Sequence, residues 1–232
     1  MIDEYTHQQK QTVQELERSL TQGITKSTIF DLQQDYIHDP EICLTSVSFL
    51  PQILAQRINE EIIRPLREIE PQHHFYPLDS MHTTIKNIRL KHDPPLFTPS
   101  DVEKVDKLFQ EIIPSFPTFD FVLEDVLALP TSAALMGYSD QTLQKLVLAL
   151  DEGLKSIGVP DDKKYFSDSI FWSNVTFCRF VERPGERFLA ALRQMRNIVI
   201  GTSRVEKIHL ITCNFTCSSN SKKIIGEYSL RT

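Results

Sequence analysis

The sequence predicts an α+β fold: a bilobal body in which two pseudo-symmetric antiparallel sheets, flanked by helices, surround a central groove. Three observations lead to this prediction. Segments that alternate like β-strands are interspersed with segments of helical periodicity. Each half of the chain repeats the order strand, helix, strand with a Thr motif, helix. The 232 residues are 41% hydrophobic, enough to bury a sizeable core, and no low-complexity linker separates the halves.

The first 40 residues are predicted to form an N-terminal helical extension. They are polar and rich in Gln, and Val13, Leu16 and Leu20 follow a helical spacing that ends before Gly23. We therefore divide the chain into this extension, residues 1–40, and a bilobal domain, residues 41–232.

The first half of the domain begins with a strand over 42–50 and a helix opened by Pro51. The apolar residues of this helix fall on one face: Leu54, Ile58, Ile62 and Leu66. A loop over 71–77 leads to a second strand over 80–90. A further helix is expected after Thr98, because Thr98 and Asp101 have the spacing of an N-terminal capping box.

The second half restarts the same plan. Two strands are predicted over 119–129 and 133–138, followed by a helix from Asp140 that Gly158 and Pro160 end. The remaining predicted elements are a strand over 171–180, a helix over 184–195, and closing strands over 205–215 and 223–230.

The charge and composition narrow the classes of partner. The net charge is −6 and the pI is near 5.7, whereas non-specific nucleic-acid binding depends on many Lys and Arg contacts to phosphate. We therefore exclude double-stranded DNA as a partner and keep a nucleotide or an RNA end. No apolar stretch approaches the roughly 20 residues that span a bilayer, so no membrane partner is expected and the predicted location is cytoplasmic. The oligomeric state stays open.

The cysteines and histidines do not indicate a metal site or a disulfide framework. The cysteines, Cys43, Cys178, Cys213 and Cys217, contain no CxxC pair, and no signal-like apolar run follows the N-terminus, so we interpret them as reduced. His73 and His74, with His82 and His92, lack the helical spacing of metal ligands. We predict no metal and no cofactor.

Two strand segments carry the candidate chemistry: Met81-His82-Thr83-Thr84-Ile85 and Trp172-Ser173-Asn174-Val175-Thr176-Phe177. Alternate side chains of a strand share a face, which groups His82 and Thr84 with Lys86, and Asn174 and Thr176 with Trp172. An imidazole beside a hydroxyl donor suits the cleavage of a phosphodiester and needs no metal. A single His-x-Thr is typical of an ordinary strand histidine. The paired context favours a site.

The pair of segments resembles the two signatures of the two-histidine phosphoesterase superfamily, the group of RNA 2′,5′-ligase-like and 2′,3′-cyclic phosphodiesterase proteins. Its signatures have the form His-x-Thr-apolar, the second within aromatic-x-x-His-apolar-Thr-apolar-x-Arg. This chain has His82-Thr83-Thr84-Ile85 and then Phe171-Trp172-Ser173-Asn174-Val175-Thr176-Phe177-Cys178-Arg179. The resemblance extends over about 42–230 and leaves the first 40 residues unexplained.

The resemblance implies a role for each residue at a matching position. His82 would be one general acid or base, and Thr84 and Thr176 would hydrogen-bond the phosphate. Asn174 occupies the place of the second histidine. Its amide can donate a hydrogen bond to phosphate but cannot move a proton near neutral pH.

Three further residues are candidates for substrate binding. Lys86 shares the predicted face of the first motif, where it either contacts phosphate or is a solvated strand residue. Trp172 either stacks on a base or packs in the core. Tyr76 is a weaker candidate of the same kind.

Two other residues near the motifs have open interpretations. Arg179 has the opposite strand parity to Asn174 and is interpreted as structural. His209, on a predicted strand, could supply the missing proton transfer if it borders the groove.

The leading hypothesis is a phosphodiesterase-like protein that acts on or binds a 2′,3′-cyclic phosphate, a 2′,5′-linked nucleotide or an RNA terminus, with activity weakened by Asn174. One alternative is a catalytically inactive module that binds nucleotides or RNA ends. The other is a protein-interaction scaffold, in which the N-terminal helix is the docking element.

Overall fold

The computed structural model describes residues 4–232 and contains six named α-helical segments and nine strands in that range. The helices are α1 Glu4–Thr21, α2 Gln52–Ile58, α3 Arg64–Ile69, α4 Pro99–Ile112, α5 Gln141–Ser156 and α6 Glu186–Gln194. The strands are β1 Ile42–Phe49, β2 His74–Phe75, β3 His82–His92, β4 Phe119–Leu129, β5 Ser132–Tyr138, β6 Ser173–Arg179, β7 Val199–Val205, β8 Lys207–Cys213 and β9 Lys223–Ser229.

The strands form two antiparallel sheets, which confirms the predicted α+β, bilobal class. The first sheet has four strands in the order β3-β1-β8-β9, and the second has five in the order β2-β6-β5-β4-β7. The last two strands of the chain return to the first sheet. Each sheet thus carries one motif strand, β3 or β6, beside a central strand, β1 or β5, which gives the two lobes their similar layout.

The predicted helices form where their caps and apolar faces lie. Thr98 accepts a hydrogen bond from the backbone N–H of Asp101 at 3.2 Å, and the Asp101 carboxylate accepts one from the Thr98 backbone at 2.9 Å, which completes the capping box of α4. Asp140 caps α5 through Thr142. The expected apolar residues after Pro51 are buried, but that helix is interrupted by a π-helical turn, Asn59–Ile63, between α2 and α3.

Two strands lie outside the predicted elements. Strand β7 pairs with β4 at the edge of the second sheet, and its Gly201-Thr202-Ser203-Arg204 stretch lacks the apolar density that predicts a strand. Its alternation of exposed and buried residues is visible only over Val199–Val205. The predicted strand 205–215 begins instead at Lys207, after β7 has ended. The short strand β2 lies within the predicted loop 71–77.

The helix α1 packs on the second sheet. Val13 is fully buried against a small apolar cluster on β4 and β5. Gln9 is also fully buried, donating to the Phe171 carbonyl at 2.6 Å and accepting from the Ser139 backbone N–H at 3.0 Å. Lys10 forms an ion pair with Glu124 at 2.6 Å. The helix therefore belongs to the folded body, which the sequence did not predict.

Among the helices of residues 4–232, none has both the length and the apolarity to cross a bilayer.

Candidate active site between the two sheets

The two motif strands lie side by side where the sheets meet. Ser173 Oγ on β6 donates to the backbone carbonyl of Thr84 on β3 at 2.9 Å, which ties the strands together. A cavity of about 300 Å³ opens beside this link, and we call it the groove. Among the motif-strand residues that line it are His82, Thr84, Asn87, Asn174, Thr176 and Arg179.

The His82 ring is held by a backbone carbonyl two residues earlier in the chain. Its Nδ1 lies 2.7 Å from the Ser80 carbonyl, which accepts only if Nδ1 carries the proton. The neutral ring is thereby fixed with an unprotonated Nε2. The ring of Phe49 meets His82 edge to face, with ring centroids 6.2 Å apart. His82 is half-buried, so a proton acceptor of defined tautomer borders the groove.

Asn174 faces the groove from β6 and is bonded to its motif partner. Its Nδ2 donates to Thr176 Oγ1 at 3.1 Å. The Thr176 hydroxyl proton is therefore free to turn toward a ligand, and Asn174 keeps one amide N–H and its carbonyl. This pair can orient and donate hydrogen bonds, but it has no group that titrates near neutral pH.

A β-bulge in β3 changes which residues face the groove. The pairing with β1 jumps from Lys86 to Thr84 between Ser46 and Val47, so that Ile85 has no partner. Lys86 turns inward and is 2% exposed, while Asn87 takes the groove position. The expectation that Lys86 shares the face of His82 is therefore corrected.

Lys86 is used for a buried ion-pair cluster. Its ammonium bonds Asp151 at 3.2 Å and Asp161 at 2.5 Å, and lies over the ring of Tyr165. Those carboxylates neutralise its charge, and Lys86 is outside the lining of the groove.

The same bulge occurs in β6. The pairing with β5 jumps from Cys178 to Thr176 between Ala133 and Ala134, which leaves Phe177 without a partner. Arg179 is thereby returned to the groove face, and its interpretation as a residue of opposite parity is corrected. The motif pattern ends in Arg, and this match could have placed Arg179 in the groove. Strict strand alternation predicted the opposite face.

The part of the groove around Arg179 is positively charged. Arg179 Nε donates to Tyr76 Oη at 3.2 Å, and the guanidinium lies 3.7 Å from the ring centroid of Phe215. Within residues 4–232 no carboxylate forms an ion pair with Arg179. Lys163 also lines the groove, and desolvation, together with the nearby Arg179 charge, lowers the pKa of Lys163 to about 8. These cations favour an anionic ligand.

The predicted aromatic residues both line the groove but differ in setting. Trp172 is half-buried and packs against the apolar cluster around Val13, so its ring has both a packed and an open side. Tyr76 is 2% exposed, and its hydroxyl donates to the Phe215 carbonyl at 3.1 Å. Tyr76 therefore positions Arg179 by accepting its Nε–H, and burial raises the pKa of the Tyr76 hydroxyl.

The other histidines lie outside the groove lining. His209 Nε2 is 3.1 Å from Glu227 on β9, and its ring lies tilted against the ring of Phe49, with centroids 5.1 Å apart. His73 is buried against Glu70 at 2.8 Å, and desolvation lowers its pKa despite that carboxylate. In residues 4–232, no group of three or more His, Cys, Asp or Glu residues has an arrangement that could hold a metal ion.

One wall of the groove comes from the N-terminal region. Leu16 and Leu20 of α1 line it, together with residues 27–30. The backbone N–H of Thr28 donates to the Lys164 carbonyl at 3.1 Å, and the Lys164 N–H donates to Thr28 Oγ1 at 3.0 Å. The apolar residues of α1 indicated that the helix packs against another element. They did not indicate that Leu16 and Leu20 would line the groove.

The fold is similar to that of several solved structures, one of them titled as a phosphoesterase. A solved structure titled as a phosphoesterase superposes with a TM-score of 0.58 at 14% identity, covering 83% of this chain and 99% of that one. The protein TT0787 of Thermus thermophilus gives 0.57 at 13% identity, covering 82% and 98%.

Escherichia coli LigT, solved with ATP, gives a TM-score of 0.56 at 14% identity, covering 83% of this chain and 99% of LigT. LigT has also been solved with 3′-AMP. At these identities the likeness shows that this chain has the LigT-like fold. No protein-family model matches the sequence, and no curated protein sequence matches it significantly.

Proposed function

We propose that the groove binds a phosphate of a nucleotide or RNA end and cleaves cyclic or 2′,5′-linked phosphodiesters slowly. The observation that carries this proposal is that the two motifs, His82 with Thr84 and Asn174 with Thr176, line one cavity. The likeness to LigT, whose solved structures include complexes with 3′-AMP and ATP, supports a nucleotide as the ligand class.

The groove residues divide the binding of a phosphate among them. The hydroxyls of Thr84 and Thr176 donate to its non-bridging oxygens, and the remaining amide N–H of Asn174 donates to the same group. Arg179 lines the same groove three residues after Thr176 on β6 and compensates the phosphate charge, because a guanidinium forms strong, directional hydrogen bonds with phosphate.

His82 performs the proton transfer in the proposed hydrolysis. Its Nε2 takes a proton from the attacking water as the new P–O bond forms, and the bond from phosphorus to the ribose oxygen breaks. Asn174 cannot supply a proton to the departing oxygen, so that proton comes from solvent. One general acid or base typically raises the rate roughly 10²- to 10⁴-fold. Turnover is therefore expected to be slower by about that factor than in a site with both groups.

The test combines binding and turnover on a ligand panel. Wild-type protein is titrated with 3′-AMP, with 2′,3′-cyclic nucleotides and with 2′,5′-linked dinucleotides, and product formation is followed by chromatography. We expect saturable binding and slow hydrolysis. The double variant Thr84→Val/Thr176→Val should lose both, whereas Thr202→Val, on the exposed edge strand β7, should match the wild type.

An inactive binding module is the second candidate function. The hydrogen bond from Asn174 to Thr176 favours it, since it fills the second motif with groups that hold but do not titrate. Saturable binding without any turnover would support this module. Neither binding nor turnover across the panel would refute both proposals and leave a scaffold.

A further inference from the structure

Phe215 is a groove residue that the proposed function does not use. It lies in the turn after β8, and its half-buried ring lines the groove. The Arg179 guanidinium lies 3.7 Å from the centroid of this ring. The Phe215 carbonyl accepts from the Tyr76 hydroxyl at 3.1 Å, and that hydroxyl accepts the Nε–H of Arg179 at 3.2 Å. Phe215 therefore acts on Arg179 twice, directly through its ring and indirectly through Tyr76.

These two contacts restrict the Arg179 side chain while leaving it able to bind a ligand. The quadrupole of an aromatic ring attracts a cation over its face. Within residues 4–232, the bond to Tyr76 is the hydrogen bond that the Arg179 side chain makes, so its terminal N–H groups stay available. An arginine that is already held loses less rotamer freedom when a phosphate binds.

The segment that joins α1 to β1, residues 22–41, reaches the same aromatic ring, and we call this segment the strap. The ring of Phe30 meets the ring of Phe215 edge to face, with centroids 4.6 Å apart and an angle of 62° between the planes. Two hydrogen bonds between Thr28 and Lys164 fix the strap two residues before Phe30. The strap therefore supports the ring on which Arg179 lies.

A second part of the strap holds the turn on both sides of Phe215. Asn214 Nδ2 and Thr216 Oγ1 both donate to the Tyr36 carbonyl, at 3.3 and 3.4 Å. Tyr36 is itself fixed, because its buried hydroxyl donates to the Phe180 carbonyl at 2.9 Å. The backbone that carries the Phe215 ring thus depends on a strap residue as well.

The strap also neutralises a second cation beside the ring. Lys91 Nζ lies 4.8 Å from the Phe215 centroid. It pairs with the buried Asp39 at 3.3 Å and with Glu41, and both carboxylates belong to the strap. Two like charges near one ring repel each other unless a counter-charge is close. The carboxylates of the strap therefore let Arg179 stay over Phe215 while Lys91 occupies the same neighbourhood.

We propose that the strap is a positioning element for the ligand-binding arginine, in which Phe30 and the Tyr36 carbonyl hold Phe215 against Arg179. This inference rests on the proposed function, in which Arg179 binds the phosphate. Phe30 and Phe215 are positioning residues, since they act on the ligand through Arg179. The segment before the two-sheet domain thereby sets the affinity of the groove for an anion.

The first measurement is the Kd of the full-length chain for 3′-AMP by isothermal titration. Phe30→Ala should raise this Kd roughly two- to tenfold, the effect of one aromatic pair. Phe30→Tyr keeps a ring at this position and should bind like the wild type. Ile37→Ala is the matched control, because Ile37 is an exposed apolar residue of the strap outside the groove lining. Equal Kd values for Phe30→Ala and the wild type would overturn the inference.

A second measurement separates positioning from direct contact with the ligand. In an Arg179→Gln background, Phe30→Ala should cause no further rise in Kd, because the ring acts through the arginine that is already lost. Losses that add in the double variant would overturn the inference, since Phe30 would then act on the ligand without Arg179.

A third measurement needs no ligand. The ¹Hε–¹⁵Nε NMR signal of Arg179, assigned by its absence in Arg179→Gln, should be displaced by the ring current of Phe215. In Phe30→Ala it should move toward the signals of exposed arginines, and an unchanged signal would overturn the inference. If the signal moves but the wild type does not bind 3′-AMP, the proposed function fails while the hold of the strap on Arg179 is confirmed. Should Phe30→Ala fail to fold, Phe30→Leu, which removes the ring but keeps an apolar side chain, replaces it in all three measurements.

Discussion

The two motif strands of the groove share one backbone pattern but carry different chemistry. From His82 to Asn87 and from Asn174 to Arg179, the same sequence of half-buried and buried positions recurs, including the bulge. The β3 half begins with the imidazole of His82 and ends with the neutral amide of Asn87. The β6 half begins with the carboxamide of Asn174 and ends with the guanidinium of Arg179. The function proposed above therefore assigns proton transfer to the β3 half and the fixed charge to the β6 half.

The largest effect is expected for the proton-transferring half. His82→Ala should lower turnover of a 2′,3′-cyclic nucleotide by roughly 10²- to 10⁴-fold, because the imidazole that lines the groove is lost. Steady-state kinetics measure this change. His92→Ala, an exposed residue at the far end of the same strand, is the control and should be neutral. Turnover retained in His82→Ala would remove the distinction between the halves.

Asn174→His should make the halves alike. A second imidazole can protonate the departing oxygen, so kcat should rise by about 10²-fold, the lower end of the range for one acid or base. The pH–rate profile should also change from a single limb to a bell shape. An unchanged rate with an active wild type would mean that another residue already supplies this proton.

Removing the fixed charge should weaken binding more than catalysis. Arg179→Gln is expected to raise the Kd for 3′-AMP about 10-fold or more, the effect of one lost charge-assisted hydrogen bond. Isothermal titration at two salt concentrations measures the loss and its salt dependence. Arg187→Gln removes the same charge from the exposed face of α6 and should leave Kd unchanged. Equal effects of both variants would assign the loss to net charge.

Ligand affinity should fall as the pH rises through about 8. Desolvation and Arg179 lower the pKa of Lys163, and a bound anion raises it again, so binding takes up a proton in this range. The Kd should increase by up to about tenfold per pH unit above that pKa. Lys163→Arg keeps the charge at all these pH values and should flatten the profile. A wild-type profile that is already flat would contradict this assignment.

The smallest effect on the ligand is expected for Lys86. Lys86→Met leaves the half-buried Asp161 without its ammonium partner. It should lower the free energy of unfolding by about 3 kcal/mol, the low end of the range for breaking a buried ion pair, because the carboxylates keep some solvent contact. Urea denaturation measures this change, with the exposed Lys107→Met as the control. The Kd should not change. A large increase in Kd at unchanged stability would place Lys86 back in the groove.

Periodicity and capping signals predicted most of the fold. Strand β4 was predicted with its bounds, and the Thr98 capping box and the Asp140 cap begin helices as expected. These features depend on residues that are neighbours in sequence. Strand β7 was missed because its stability comes from pairing with β4, which the local composition of an edge strand does not reveal.

Local sequence patterns did not predict correctly which residues face the groove. Strict alternation placed Lys86 at the site and removed Arg179, because a bulge shifts the parity of everything after it. The four motif positions could be named from their pattern, and their proposed roles stay predictions. The contacts that Phe30 and Arg179 make with the Phe215 ring join residues far apart in the sequence, which residue spacing does not encode.

The wall that α1 and residues 27–30 contribute has a practical consequence for anyone who shortens the chain. Deleting residues 1–40 would uncover the apolar surface of β4 and β5 and widen the opening at the same time. A trimmed protein would therefore have a wider groove than the intact one. Ligand-binding measurements on the groove should be made with the amino-terminal residues present.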